Sequence, residues 1–319
     1  MKNSVVMATY NGEKYIIEQL DSIRNQTLPP DEVIICDDCS TDNTRKIIED
    51  YIIRYDLTGW NLFINDVNIG FYNNFFKALR LCTGDIIYLS DQDDVWDSCK
   101  IEKFTKYYNA SLNLMMVQSR FRFIDSEGNK LKEEEAYHYY KSGHICNLSI
   151  IDMCKFSGSG FTMSFRKEVV DKIMSNNLDQ CGLFPFHDIL IGLMSVAIGY
   201  CILDRDVIDH HRIHDDNVTK RKNKSYVSGR TKQQQLDILK LRIEYFKEMA
   251  KYSVNENKKN FFCKYALFCQ LRYEYIQKYS IRDMKKLLYS RNMYASKKAL
   301  ISDTMYSMGL EKFRILFIK

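Results

Sequence analysis

Three carboxylates crowd the stretch LSDQDDVW at residues 89–96, where Asp91, Asp93 and Asp94 fall within four positions behind the apolar run DIIYL. Like charges that close repel one another, so the pattern calls for a positive partner. The plain alternative is an acidic loop capping a helix. Other polar clusters sit in comparable settings: ATYN follows SVVMA, and DDCS follows EVIIC. Further on, FPFHD opens a long apolar stretch and DHHRIHDDN closes another. The histidines at 210, 211 and 214 would alone suggest zinc, but oxygen-bearing side chains dominate the other clusters. CDDC, from Cys36 to Cys39, has C-x-x-C spacing, yet no second pair supports zinc and no Trp-Cys context supports redox work.

The elements that must position these clusters alternate regularly. SVVMA (4–8), EVIIC (32–36), NLFIN (61–65) and DIIYL (85–89) read as strands. Between them lie helical spans: 13–25, with Ile16, Ile17, Leu20 and Ile23 on one face, STDNTRKIIEDYIIRY with a polar turn able to cap it, and 71–82. Strands separated in this way imply parallel β-α-β units with right-handed crossovers, and their near-continuous apolar content fits a sheet covered on both faces. In such a sheet chemistry gathers at the carboxyl ends of the strands, which selects ATYN, DDCS and SDQDD for one shared rim. Later, LMMVQSRFRFID reads as a strand, and FSGSGFTMSF as a Gly/Ser loop entering another. The span 184–199 reads as a helix and YCILDRDVIDHHRIHDDN as a final strand with a polar segment.

At 319 residues, with 45% apolar and 27% charged side chains, the chain can bury a sizeable core. Its net charge of +5 conceals a division: residues 1–219 carry 22 basic against 33 acidic side chains, and residues 220–319 carry 24 against 8. The expected organisation is therefore a domain at 1–219 and a basic, mainly helical region at 220–319 that begins with the linker KRKNKSYVSGR. In that region Leu236, Leu239, Ile243 and Phe246 recur at heptad-like spacing. No leader is visible in MKNSVVMATYNGEKY, no run approaches a membrane span, and the ten cysteines read as reduced thiols, so a cytoplasmic setting is expected.

The segments VVMATYNGEKYIIEQLDSIRNQT, EVIICDDCSTDNT, NIGFYNNFFKAL and GDIIYLSDQDDVW, in this order and spacing, resemble family 2 glycosyltransferases. The DQDDVW form is similar to that of bacterial enzymes building surface polysaccharides, many of them rhamnosyltransferase-like. The resemblance spans residues 3–217 and implies a GT-A fold: α/β, Rossmann-like, a mostly parallel sheet flanked by helices, here with a helical C-terminal appendage. It implies that Thr9, Tyr10 and Glu13 surround the nucleoside, and that Asp38 accepts a hydrogen bond from ring N3–H of uracil or thymine. Asp91-Gln92-Asp93 stands at the family's Asp-x-Asp, with Asp93 the direct ligand of Mn²⁺ or Mg²⁺. Asp91 would reach the ribose or a metal-bound water, and Gln92 and Asp94 would line the donor site. Asp188 stands where the family has its catalytic base, although a carboxylate at a helix start is also a common cap. Arg212 would meet the diphosphate and His214 the metal or a phosphate; His210-His211 stands where relatives have an aromatic residue. Trp96 would stack on the acceptor sugar or pack in the core.

These residues imply a metal-dependent, inverting transfer of a sugar from a UDP- or dTDP-linked donor to a glycan or lipid-linked acceptor in cell-surface polysaccharide synthesis. The tail YSMGLEKFRILFIK mixes Phe313, Leu316 and Phe317 with Lys312, Arg314 and Lys319, a composition suited to the inner membrane face, to docking on the catalytic domain, or to a homodimer. A nucleotidyltransferase is a rival, but ATYNGEKY lacks the Gly-rich, basic phosphate loop such enzymes carry. A second rival, a non-catalytic nucleic-acid binder using the basic tail, would bind in a salt-sensitive way. A third, a catalytically dead scaffold, finds no support because Asp38, Asp93 and Asp188 are all present. No nucleic-acid partner is expected.

Overall fold

The computed structural model describes residues 1–131, 145–148, 152, 159–215, 230–294 and 297–310. They form two compact units, the first drawn from within 1–149, 158–181 and 185–215. The expected boundary at 219, the linker after it up to residue 229 and the tail beyond 310 lie outside the described residues.

In the first unit the strands are β1 (Asn3–Thr9), β2 (Glu32–Asp37), β3 (Trp60–Ile64), β4 (Ile86–Ser90), β5 (Val95–Trp96), β6 (Leu114–Ile124), β7 (Ile145–Leu148), β8 (Met163–Arg166) and β9 (Tyr200–Arg212). Their order is β3-β2-β1-β4-β8-β6-β9-β5, with β7 also pairing β9. The first four are mutually parallel, β8 runs antiparallel to β4 and β6, and β6 and β9 are parallel. Every residue of β2 and β4 is buried, as expected of strands covered on both faces.

The helices of this unit are α1 (Ile16–Arg24), α2 (Thr44–Arg54), α3 (Phe71–Leu81), α4 (Lys100–Ala110), α5 (Lys167–Ser175) and α6 (His187–Ile198). On α1, Ile16, Leu20 and Ile23 are buried but Ile17 is exposed. The first three follow the i, i+4, i+7 stripe, whereas Ile17 lies a quarter-turn away. The short strand β5 matters most for the site. It turns the acidic loop back so that Val95 pairs with His210 and Trp96 with Asp209, which sets DQDD against DHHRIH.

The second unit carries α7 (Lys232–Ala250), α8 (Glu256–Gln277), α9 (Ile281–Tyr289) and α10 (Lys297–Ser307). Thr231 and Gln234 close a capping box at the start of α7, and Leu236, Leu239, Ile243 and Phe246 are buried as their spacing predicts. Arg272 on α8 is bound twice by Asp303 on α10, at 2.7 and 3.1 Å, and Tyr294 Oη donates to the same carboxylate at 2.9 Å.

Candidate active site

The ends of β1 and β2 are locked by Asp37, which is fully buried. Its carboxylate accepts from Thr9 Oγ1 at 2.9 Å and from Ser40 N and Oγ at 2.8 and 2.5 Å. Asp38, next in sequence, takes Asn65 Nδ2, Ile69 N and Gly70 N, each at 2.8 Å. A carboxylate has about four acceptor positions, so three of those on Asp38 are filled from within the protein. Gly70 has φ +81°, a conformation disfavoured for other residues, which lets its N–H turn toward Asp38 at the head of α3. Beneath Asp38, Asn65, Asn74 and Lys77 form a polar chain: Lys77 Nζ donates to Asn65 Oδ1 at 2.5 Å, and Asn65 Nδ2 to Asn74 Oδ1 at 3.0 Å. NLFIN and NIGFYNNFFKAL display the types of these three residues but not their burial.

Gln92 reaches from the acidic loop to β1. Its amide accepts from Tyr10 N at 2.8 Å and donates to Tyr10 O at 3.0 Å, leaving the Tyr10 ring exposed. Glu13 is committed to the start of α2, accepting from Asn43 N and Nδ2 at 2.9 and 2.7 Å. Thr9, Tyr10, Asp38 and Gln92 therefore stand at one sheet edge. Glu13 is tied down at its border.

The three carboxylates of the opening stretch differ in their surroundings. Asp94 is fully buried: Oδ1 accepts from Arg212 N at 3.0 Å and lies 2.8 Å from His211 Nδ1, while Oδ2 has no partner among the described residues. Asp93 Oδ2 lies 2.7 Å from His214 Nε2. No donor among the described residues reaches the half-buried Asp91 carboxylate. Burial first, then repulsion from Asp94 and Asp93, pushes the Asp91 carboxyl well above the ordinary range, against the pull of His211. Burial draws His211 down, but the Asp94 charge and hydrogen bond outweigh it and push the imidazole up to about 9. Its ring stacks on Phe161 at 4.8 Å. Lys100, also fully buried, donates to Asp209 Oδ1 at 2.5 Å and Phe161 O at 2.7 Å. Burial lowers its pKa, opposed by Asp209, Asp94 and Asp91. Protein cations thus meet the acidic loop from below.

Two expected ligand contacts sit elsewhere. Trp96 is 3% exposed and belongs to the hydrophobic core, with Lys100 Nζ 3.8 Å from its ring centroid. The pairing of β5 with β9 turns the indole inward, and no face is open to a sugar. Arg212 is fully buried; its guanidinium donates to Glu18 Oε2, Asp93 O, Asp125 O and Ser126 O. It acts as a strut between α1, the acidic loop and the turn after β6, and could reach a diphosphate only by exchanging those bonds.

Asp188 stands in the first turn of α6, where Oδ1 accepts from Ile189 N at 2.7 Å. Burial pushes its carboxyl up to about 6, although the N–H groups of Ile189, Gly160 and Asp188 itself hold it down. Its charge also raises Asp91, so the two carboxylates share one electrostatic environment. Beside it, His187 stacks on Phe75 at 4.1 Å, and burial lowers its pKa to about 3, which keeps it neutral.

Among the described residues, no three His, Cys, Asp or Glu side chains form a ready set for a metal ion. The donor chemistry nevertheless suits a hard divalent cation that completes its shell from a ligand. Among the described residues, Asp91 offers carboxylate oxygens that no donor reaches, and Asp94 Oδ2 is a buried oxygen without a partner.

A mostly parallel α/β sheet whose acidic and polar loops converge at the strand ends is the GT-A architecture of nucleotide-sugar glycosyltransferases. Residues 4–174, just over half the chain, match the glycosyl transferase family 2 model, and the chain belongs to that family. It is 31% identical over 147 residues to chondroitin synthase of Escherichia coli, across 46% of this chain and 21% of that protein. It is 41% identical over 96 residues to the poly(ribitol-phosphate) beta-N-acetylglucosaminyltransferase TarS of Staphylococcus aureus, across 30% of this chain and 16% of that protein. The matched stretches are thus well under half the length of these relatives. The structure of S. aureus TarS 1–349 in complex with UDP-GlcNAc superposes with a TM-score of 0.59 at 18% identity, covering 99% of this chain and 86% of that one. A Pyrobaculum calidifontis mannosyltransferase in complex with GDP-Man and Mn²⁺ gives a TM-score of 0.52 at 15% identity, covering 99% and 85%.

Proposed function

We propose that this glycosyltransferase inverts the anomeric centre of a UDP- or dTDP-linked sugar and acts on a glycan or lipid-linked acceptor in surface-polysaccharide synthesis. One observation carries the reading: Asp188, its carboxyl raised to about 6, shares a field with Asp91 of the acidic loop. A base of that strength is matched to near-neutral conditions. Asp188 takes the proton of the acceptor hydroxyl as that oxygen attacks the anomeric carbon. The bond to the diphosphate breaks on the opposite face, and the diphosphate leaves with the electron pair. Thr9, Tyr10 and Asp38 hold the nucleoside, and Gln92 keeps the two loops in register. Arg212 and His211 position Asp93 and Asp94 rather than touching the donor.

Asp93 and Asp91, with His214 beside Asp93, would hold Mn²⁺ or Mg²⁺, which supplies positive charge against the diphosphate. An imidazole neighbour favours Mn²⁺ of the two. The Mn²⁺ in the Pyrobaculum neighbour and the UDP-GlcNAc in TarS support this choice of ligands. The decisive experiment incubates the chain with UDP- and dTDP-sugars, an oligosaccharide acceptor and either metal, and reads the product's anomeric configuration by NMR. Inversion with metal dependence is expected; retention overturns the single-displacement mechanism.

We also infer peripheral contact with anionic membrane. Among the described residues no helix is long and apolar enough to cross a bilayer. Opposite its buried Leu287, however, α9 exposes Ile281, Leu288 and Tyr289 beside Arg282 and Lys285, the mixture that suits a lipid headgroup region. Phe313, Leu316 and Phe317 of the tail, expected to share this role, lie outside the described residues.

A further inference from the structure

Next to Asp188 stands a group of aromatic rings that the donor chemistry leaves unused. Phe71 opens α3 and Phe186 directly precedes α6. Their rings stack at 6.0 Å with planes 25° apart, and each residue is 41% exposed. A solvent-facing phenylalanine pair is costly to display unless something covers it. Below the pair, His187 is 7% exposed and wedged between Phe75 and the edge of Phe71. Among the described residues neither of its ring nitrogens has a partner, and an unsatisfied buried imidazole carries a penalty that a ligand hydroxyl would remove. Gly160 closes the far side: a Cβ there would stand 3.1 Å from His187 Nε2 and 3.5 Å from Asp188 Cβ. Leu89 Cδ1 would also stand 3.5 Å away, so a glycine is what fits this closely beside both groups.

We infer that Phe71 and Phe186 form the platform of an acceptor subsite, on which a pyranose ring lies by its C–H face with a hydroxyl toward His187 and the reacting hydroxyl toward Asp188. Aromatic faces and carbohydrate C–H faces are complementary, whereas the diphosphate end of the cleft is polar and charged. The inference rests on the transferase reading above, because it assigns the incoming sugar to the side of the base. It gives the acceptor the stacking contact that the inward-turned Trp96 does not offer.

The test is saturation-transfer NMR on the full chain with Mg²⁺ and UDP or dTDP, using methyl glycosides of glucose, galactose, N-acetylglucosamine and rhamnose as probes. At least one glycoside should be saturated most strongly on its ring C–H protons. Phe71→Ala and Phe186→Ala should each weaken that signal by about two- to tenfold. Phe71→Tyr and Phe186→Tyr should restore it, and nucleotide saturation should stay unchanged throughout. Nucleotide saturation without any glycoside signal, or glycoside signals that survive both alanine variants, overturns the platform. So does an effect of these variants on a bound nucleotide sugar's own ring instead. Loss of nucleotide saturation in the unaltered chain overturns the transferase reading itself, a distinguishable failure.

Discussion

Asp188→Asn separates catalysis from stability and gives the base assignment two independent readouts. Burial raises the carboxyl from an ordinary 3.8 to about 6. That is roughly two powers of ten in acidity at about 1.4 kcal/mol each, so the ionised form costs the fold up to about 3 kcal/mol. Solvent on the half-buried side reduces this to roughly 2 kcal/mol. Because the folded value lies above the unfolded one, the penalty is absent below pH 4, grows between 4 and 6, and is complete above. An asparagine cannot ionise, and its Oδ1 can still accept from Ile189 N. The variant should therefore unfold at a higher temperature at pH 8, by roughly 4–8 °C for a unit of this size, and the advantage should vanish toward pH 4. Transfer should fall by about 10²–10⁴, while nucleotide-sugar affinity measured by calorimetry is retained. In the unaltered enzyme the rate should climb with pH up to about 6 and then level. A variant no more stable than the parent at pH 8, or one turning over near normally, refutes the reasoning.

Other perturbations address neighbouring links. Asp93→Ala removes the partner of His214 and the expected metal ligand, so Mn²⁺-dependent binding of UDP or dTDP should drop at least about tenfold; unchanged calorimetric affinity counts against the assignment. Asp303→Ala strands the Arg272 charge in the second unit and should destabilise that unit by about 3–5 kcal/mol, measured by hydrogen exchange of α8 and α10 amides. Replacing Tyr289 with Ser and Lys285 with Glu should weaken sedimentation of the full chain with phosphatidylserine vesicles, and more so at low salt than high; binding indifferent to both changes removes α9 as the contact.

Much of the architecture could be read from period and punctuation. Four apolar runs separated by helical spans gave the parallel half of the sheet, and the family motifs sit at its strand ends. What stayed hidden depends on long-range pairing. Nothing local in VW marks it as a two-residue strand, yet its pairing with Asp209 and His210 buries Trp96 and turns Asp94 toward His211. Nor does sequence show that Lys100, at the start of a helix with charged neighbours, is sealed against Asp209. Arg212 presents the same difficulty: its type suits a phosphate, but its burial makes it a strut.

The acidic loop shows why these hidden contacts matter chemically. Three carboxylates in four positions would repel strongly at low dielectric unless cations met them. The fold supplies His211 to Asp94 and Lys100 from beneath, and Asp93 pairs with His214. Asp91 alone has no donor among the described residues, and Asp188 adds repulsion to it. The loop is thus balanced on its buried side and under-compensated on the side facing the cleft. A fully neutralised loop would have no electrostatic reason to take a divalent cation with a diphosphate, and a loop without these buried cations would not hold its shape. The division between satisfied and unsatisfied carboxylates lets one short stretch serve both the fold and the ligand.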